Sequence, residues 1–173
     1  MTRSDDRTAM QERILETADR LFYGQGIRAV GVDTIAAEVG ISKRTLYNYY
    51  PSKDDLIVAV LQHREESVSE FFRQAMERHG RRQRTKSPLR AFFAALAEWI
   101  GTPGFRGCAF QNAAIELADP DHPGTACARG FKLRFGEFLQ GLIEESLGEK
   151  AAKLAPAVCL LVEGAIVTAA IHG

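Results

Sequence analysis

Six neighbouring residues in the stretch 43–49 have side chains of the kinds that contact nucleic acids. They are Lys43, Arg44, Thr45, Tyr47, Asn48 and Tyr49. Cations neutralise phosphates, hydroxyl groups hydrogen-bond to the backbone, and an amide can pair with a base edge in the major groove. On a short helix these side chains would share an outward surface. The stretch therefore predicts a surface that binds double-stranded DNA.

The residues just before this stretch predict the element that would hold it in place. A helix over 32–39, a turn at 40–42 and a second helix from Lys43 to about Tyr49 would form a helix-turn-helix, stopped by Pro51. Ala36 permits close approach of the two helices, and Gly40 can take a positive φ in the turn. The expected core between them consists of Ile35, Val39, Ile41 and Leu46.

The stretch 40–56, GISKRTLYNYYPSKDDL, resembles the signature of the TetR/AcrR family of transcriptional regulators, and the resemblance extends back to Ile14. By this resemblance the six residues above contact DNA, Lys53 contacts the phosphate backbone, and Leu46 and Tyr50 pack inward. Gly31 stands at the expected N-cap of the second helix, where threonine or serine is common in the family. One phosphate contact is therefore expected to be missing.

Helical periodicity continues to the C-terminus, and no segment alternates with a period of two, so we predict an all-α fold. The expected architecture is an N-terminal three-helix DNA-binding domain, 1–52, joined by a long helix to a helical-bundle ligand-binding and dimerisation domain, 53–173. The long helix would begin at a capping box formed by Ser52 and Asp55. The resemblance implies a further helix after Gly173, so we expect a truncated chain.

The basic run at 78–86 is predicted to be a solvated loop without a function of its own. It contains four arginines and a lysine and no acidic residue. Ser87 and Pro88 follow it as the N-cap and first residue of the next helix.

A small-molecule pocket is expected in the C-terminal domain, because the resemblance implies a ligand. We predict Phe92, Trp99 and Phe110 as its walls, with Asn112 and Glu116 orienting the ligand. The alternative is that these aromatic residues simply form core, as aromatic residues at helical spacing usually do.

The last helix, at about 151–171, is predicted to be buried and to mediate homodimerisation. It is apolar on more than one face, which requires a second partner surface, and we expect the same helix of another subunit. The stretch 157–171 is too short to span a bilayer and contains Glu163, so no membrane is expected. The predicted interface residues are Val158, Leu161, Val162, Ala165, Ile166 and Ala169.

Composition and motifs exclude several other classes of protein. Lys plus Arg and Asp plus Glu number 22 each, so DNA binding must arise from local clustering of cations. Cys108, Cys127 and Cys159 are widely spaced, which argues against a disulfide framework or a zinc site and favours a cytoplasmic location. The polar N-terminus has no secretory signal, and we expect no cofactor or metal.

No common enzyme motif is present: the sequence has no P-loop, nucleophile elbow, zinc-protease motif or dinucleotide fingerprint. The leading hypothesis, which the TetR/AcrR resemblance implies, is a bacterial homodimeric repressor that binds a palindromic operator and releases it on binding a small molecule. The alternative is a helical adaptor that binds a protein through the helix-turn-helix face. Such an adaptor would have no salt-dependent affinity for DNA.

Overall fold

A computed structural model describes residues 3–84 and 86–172, and within them every regular element is helical. The all-α prediction is confirmed. The elements are α1 Arg3–Gln25, α2 Val32–Val39, α3 Lys43–Tyr47, α4 Lys53–Gln83, α5 Pro88–Ile100, α6 Ala109–Leu117, α7 Pro123–Leu147, a short 3-10 helix Glu149–Leu154, and α8 Ala155–His172.

Side-chain caps begin two helices where the sequence predicts them. The Asp55 backbone N–H donates to Ser52 Oγ at 3.0 Å, and Ser52 Oγ in turn lies 2.7 Å from the Asp55 carboxylate. Ser87 Oγ accepts from the Arg90 N–H at 3.4 Å, with Pro88 as the first residue of α5. Each cap satisfies a backbone donor that the first turn of a helix leaves unpaired.

The prediction of a loop at 78–86 is wrong for most of that stretch, because α4 continues to Gln83. Arg78 Nη2 and His79 Nε2 lie 2.8 and 2.7 Å from the two carboxylate oxygens of Glu98, which holds the end of α4 against α5. Cations near a helix C-terminus are also favourable to the helix dipole. The basic run is therefore mainly the last turns of a long helix.

The chain divides into two compact units whose boundary differs from the predicted domain boundary at residue 52. The first unit comprises Met1–Arg64 and Ala109–Arg129, and the second comprises Glu65–Cys108 and Gly130–Gly173. The first three turns of α4 belong to the first unit because their apolar side chains are part of its core. The buried residues of this core include Ile14, Ala18, Leu21, Phe22, Val30, Ile35, Leu46, Leu56, Ile57, Val60 and Leu61.

A cluster of aromatic rings forms much of the core of the second unit. Phe92 is fully buried, and its ring is stacked on that of Phe72 with the centroids 5.5 Å apart. The rings of Phe93, Phe135 and Phe138 lie 5.5, 6.2 and 6.0 Å from that of Phe92. Aromatic rings prefer offset-stacked and edge-to-face arrangements, and their packing buries a large apolar area.

The prediction that the last helix is buried is wrong for most of α8. In the most apolar 18-residue window of the segment Glu149–His172, only 17% of the residues are buried and the mean hydropathy is 2.1. By length and composition alone, this segment could cross a membrane. The inner side of α8 carries Val162 and Ile166, which are buried, and Glu163, whose carboxylate lies 2.6 Å from Lys132 Nζ of α7. One side of α8 thus packs on its own chain, and an apolar side remains open.

The core of the first unit predicts a large difference between two isoleucine substitutions. Ile35 is 0% exposed on α2, whereas Ile115 is 69% exposed on α6. We expect Ile35→Ala to lower the free energy of unfolding by about 2–5 kcal/mol, through lost burial and the cavity left behind. Ile115→Ala should change it by less than about 0.5 kcal/mol. Urea titrations followed by circular dichroism measure both, and equal losses would contradict the assigned core.

Candidate nucleic-acid interface

Backbone hydrogen bonds fix the turn between α2 and α3 at Gly40. The Gly40 N–H donates to the carbonyls of Ala36 and Ala37 at 3.0 and 3.1 Å, and the Ile41 N–H donates to Ala36 at 2.9 Å. Gly40 has φ 78° and ψ 35°, the left-handed conformation that glycine adopts without steric cost. The predicted positive φ is confirmed, and α2 ends here.

Helix α3 is held at its start by a cap and underneath by two buried side chains. Ser42 Oγ accepts from the Thr45 N–H at 3.0 Å and lies 2.8 Å from Thr45 Oγ1. Leu46 is 0% exposed and Tyr50 is also buried, which places both inward as predicted. Burial raises the pKa of the Tyr50 phenol above its ordinary value. These contacts fix both the position and the rotation of α3.

Two arginines of α1 hold α2 in place. Arg13 Nη2 donates to the carbonyl of Val39, at the end of α2, at 2.9 Å. Arg20 Nη2 donates to Glu38 Oε1 at 2.7 Å, and both of these side chains are largely exposed. The buried carbonyl contact satisfies a helix end, whereas the exposed ion pair contributes little to stability.

The six side chains predicted to contact DNA divide into two groups. Lys43, Arg44, Tyr47 and Asn48 are exposed, whereas Thr45 and Tyr49 are half-buried. The guanidinium of Arg7, from α1, lies 5.9 Å from the centre of the Tyr49 ring. The exposed group combines two cations, a phenol and an amide on one short helix, the donor set that reads phosphates and base edges.

A carboxylate that the sequence analysis did not single out lies at the start of this surface. Asp33 Oδ2, on α2, is 2.9 Å from Lys43 Nζ, with the two side chains 74% and 48% exposed. The hydrogen bond that Lys43 donates to the Asp33 carboxylate, together with the carboxylate's charge, raises the pKa of the Lys43 ammonium. The two residues lie on different helices, so no helical spacing in the sequence marks them as a pair.

Lys53, predicted to contact a phosphate, has a different partner in the structure. Its Nζ donates to the carbonyl of Ile27 at 2.6 Å and lies 5.8 Å from the centre of the Phe22 ring. Partial burial lowers the pKa of the Lys53 ammonium below its ordinary value. The ammonium therefore joins the start of α4 to the loop after α1.

The five predicted pocket residues do not share one unit. Phe92 and Trp99 belong to the second unit, and Phe92 is a core residue of the aromatic cluster rather than a pocket wall. Phe110, Asn112 and Glu116 belong to the first unit, where Phe110 is buried. The three aromatic residues were predicted from helical spacing of aromatic side chains and from the family resemblance. Neither distinguishes a ring in the core from a ring that lines a cavity.

An open cleft lies within the first unit, and two of the predicted residues, Asn112 and Glu116, line it. Its lining also includes three polar residues that the sequence did not indicate: Asp19, Tyr23 and Arg64. Arg64 Nη2 donates to Asp19 Oδ2 at 3.1 Å, and the guanidinium carbon of Arg64 lies 3.9 Å from the centre of the Tyr23 ring. The lining comes from α1, α4 and α6, which sequence spacing cannot bring together.

The predicted dimer residues of α8 lie on different sides of the helix. Val162 and Ile166 are buried within their own chain, so the prediction that they lie on an intersubunit face is wrong. Leu161 and Ala165 are exposed, and Val158 and Ala169 are half-buried. The open side includes further apolar residues that the prediction omitted: Leu160, Val167 and Ile171.

His122, which stands close in sequence to Asp119 and Asp121, makes two contacts within the first unit. Its Nδ1 accepts from the Gly124 N–H at 3.0 Å, and its Nε2 lies 3.2 Å from Asp54 Oδ1. Among residues 3–84 and 86–172, no three His, Cys, Asp or Glu side chains come together in a group that could hold a metal ion.

Known proteins similar to this chain share both its sequence pattern and its fold. Residues 14–60 match the family model described as bacterial regulatory proteins, tetR family. The HTH-type transcriptional regulator YxaF of Bacillus subtilis is 28% identical over 172 residues, covering 95% of this chain and 85% of that protein. The HTH-type transcriptional activator FasR of Mycolicibacterium smegmatis is 36% identical over 88 residues, 50% of this chain and 40% of that protein.

A solved structure supports the same assignment over nearly the whole chain. The crystal structure of SCO4454, a TetR-family transcriptional regulator from Streptomyces coelicolor, superposes with a TM-score of 0.82 at 29% identity, covering 95% of this chain and 85% of that one. The helix-turn-helix geometry lies inside the region matched by the family model. Residues 14–60 thus match the TetR family model, and the chain as a whole is similar in sequence and fold to TetR-family transcriptional regulators.

Proposed function

We propose that this protein is a cytoplasmic, ligand-responsive repressor that binds a palindromic operator as a homodimer. The observation that carries the proposal is the surface of α3, where Lys43, Arg44, Tyr47 and Asn48 are exposed on a capped and anchored helix. A helix held this firmly presents its side chains to the major groove with little loss of conformational entropy on binding. Thr45 and Tyr49 extend this surface. Lys53 is a weaker candidate for a phosphate contact, because its ammonium already donates to the Ile27 carbonyl.

The open side of α8 supports the homodimer. Leu160 and Leu161 are 75% and 73% exposed, a degree of exposure that soluble proteins normally cover with a partner. The Lys132–Glu163 ion pair joins the other side of α8 to α7 of the same chain. Only one apolar side of α8 is therefore left for a partner. Pairing with a second copy would bury that side. The two copies of α3 would then be related by a two-fold axis, as a palindrome requires.

The cleft in the first unit is the ligand site that we propose. Its lining combines the apolar side chains of Phe22, Ile57 and Leu61 with the carboxylates of Asp19 and Glu116, so it suits a small amphipathic molecule. Its walls come from α1, which holds α2, and from α4. A ligand that prefers one arrangement of these helices would shift the population of DNA-binding conformations.

DNA binding is tested by selecting duplexes from a random pool and measuring the affinity of the enriched duplex across a salt series. We expect an enriched palindrome whose log affinity falls linearly with log salt concentration, because each phosphate contact releases counterions. Arg44→Ala should weaken binding of this duplex by roughly 10-fold or more and make the salt slope shallower by about one.

Arg90→Ala is the matched control, since it removes the same charge from an exposed position on α5 in the second unit. It should leave both the affinity and the slope unchanged. An Arg44→Ala variant that binds as tightly as the parent would contradict the proposed interface.

The oligomeric state is tested by placing a charge on the open side of α8. We expect the parent to sediment as a dimer in analytical ultracentrifugation and Leu161→Glu to sediment as a monomer, because the carboxylate would be desolvated at an apolar interface. Ile115→Glu places the same charge at a similarly exposed apolar position of α6 and should leave the dimer intact. A dimer that withstands Leu161→Glu would exclude this side of α8 as the interface.

A further inference from the structure

The ion pair between Asp33 and Lys43 lies at the edge of the DNA surface and has a consequence for how that surface reads sequence. The two side chains are exposed and their charged atoms are 2.9 Å apart, so both groups would meet DNA that approaches α3. We propose that Asp33 is a specificity-determining residue, which withholds the Lys43 ammonium from phosphate neutralisation and directs it to base edges. This inference rests on the proposed DNA-binding function.

The chemistry of the ammonium group allows this division of labour. A lysine ammonium has three N–H donors, and the contact with Asp33 uses one of them. The remaining donors can reach acceptors such as guanine O6 and N7 in the major groove. A phosphate that approached the same ammonium would also approach the Asp33 carboxylate, and the repulsion between the two anions would offset much of the attraction.

Arg44, the next residue, provides the contrast. It is exposed, and no ion pair involves it within residues 3–84 and 86–172. No carboxylate in these two ranges is paired with its guanidinium, so none offsets the attraction of this group for a phosphate oxygen, the commonest kind of partner in protein–DNA contacts. Adjacent cations on α3 would thus have different roles, Arg44 in affinity for any DNA and Lys43 in choice of sequence.

Removing the carboxylate should convert Lys43 into a second phosphate contact. Asp33→Asn keeps the size of the side chain and removes its charge, so Lys43 becomes free to neutralise a phosphate on any duplex. Each phosphate contact adds about 0.9 to the magnitude of the salt slope on duplex DNA. We expect Asp33→Asn to bind a random duplex roughly 3- to 10-fold more tightly, with a slope steeper by about one. The preference for the selection-enriched duplex should fall by a similar factor.

Three variants separate this mechanism from a general change in charge. Glu38→Gln removes the same charge from the same helix, but its partner is Arg20 of α1, so it should leave the slope and the preference unchanged. Asp33→Glu restores the carboxylate and should restore the preference. Adding Lys43→Ala to Asp33→Asn should abolish the steeper slope, because the added contact belongs to Lys43.

The experiment measures the affinity of each full-length variant for the enriched duplex and for a random duplex of equal length, at several salt concentrations. The inference is overturned if Asp33→Asn keeps the parent's slope and preference, or if Glu38→Gln changes them equally. A parent protein without sequence preference and without salt dependence would instead overturn the proposed function. Circular dichroism verifies that the variants fold, as expected for substitutions at an exposed ion pair.

Discussion

The packing of Leu46 beneath the left-handed turn at Gly40 is the constraint on which the proposed DNA-binding surface depends. Gly40 ends α2 and reverses the chain, and Leu46 anchors the following helix in the core of the first unit. With the base of α3 buried and its first turn capped by Ser42, its polar side chains have one accessible direction. Helices of only eight and five residues would not hold this geometry alone, because short helices depend on tertiary packing.

Because the chain has no net charge, the proposed affinity for DNA must come from local electrostatics. Positive and negative side chains number 22 each, and several cations of the first unit are already paired. Arg20 is bonded to Glu38 and Lys43 to Asp33, which leaves Arg44 exposed without an ion pair in the described part of the chain. A surface with few unpaired cations is suited to discriminating between sequences, because non-specific attraction is limited.

Local features were predictable from sequence, and contacts between distant segments were not. Glycine conformation, helix caps and the core position of Leu46 follow from residue type within a few positions, and all three were predicted correctly. The continuation of α4 to Gln83 was missed because it depends on Glu98, a residue of the next helix. The lining of the cleft and the inward side of α8 depend likewise on which helices meet, which periodicity does not specify.

Hydrogen–deuterium exchange of the protein with and without the enriched duplex tests most directly whether DNA binds at the outward surface of α3. We expect added duplex to slow exchange in peptides covering 40–50, with smaller effects at the start of α2. Peptides of α5 in the second unit should exchange at the same rate in both samples. Slowed exchange elsewhere with no change across 40–50 would contradict the account.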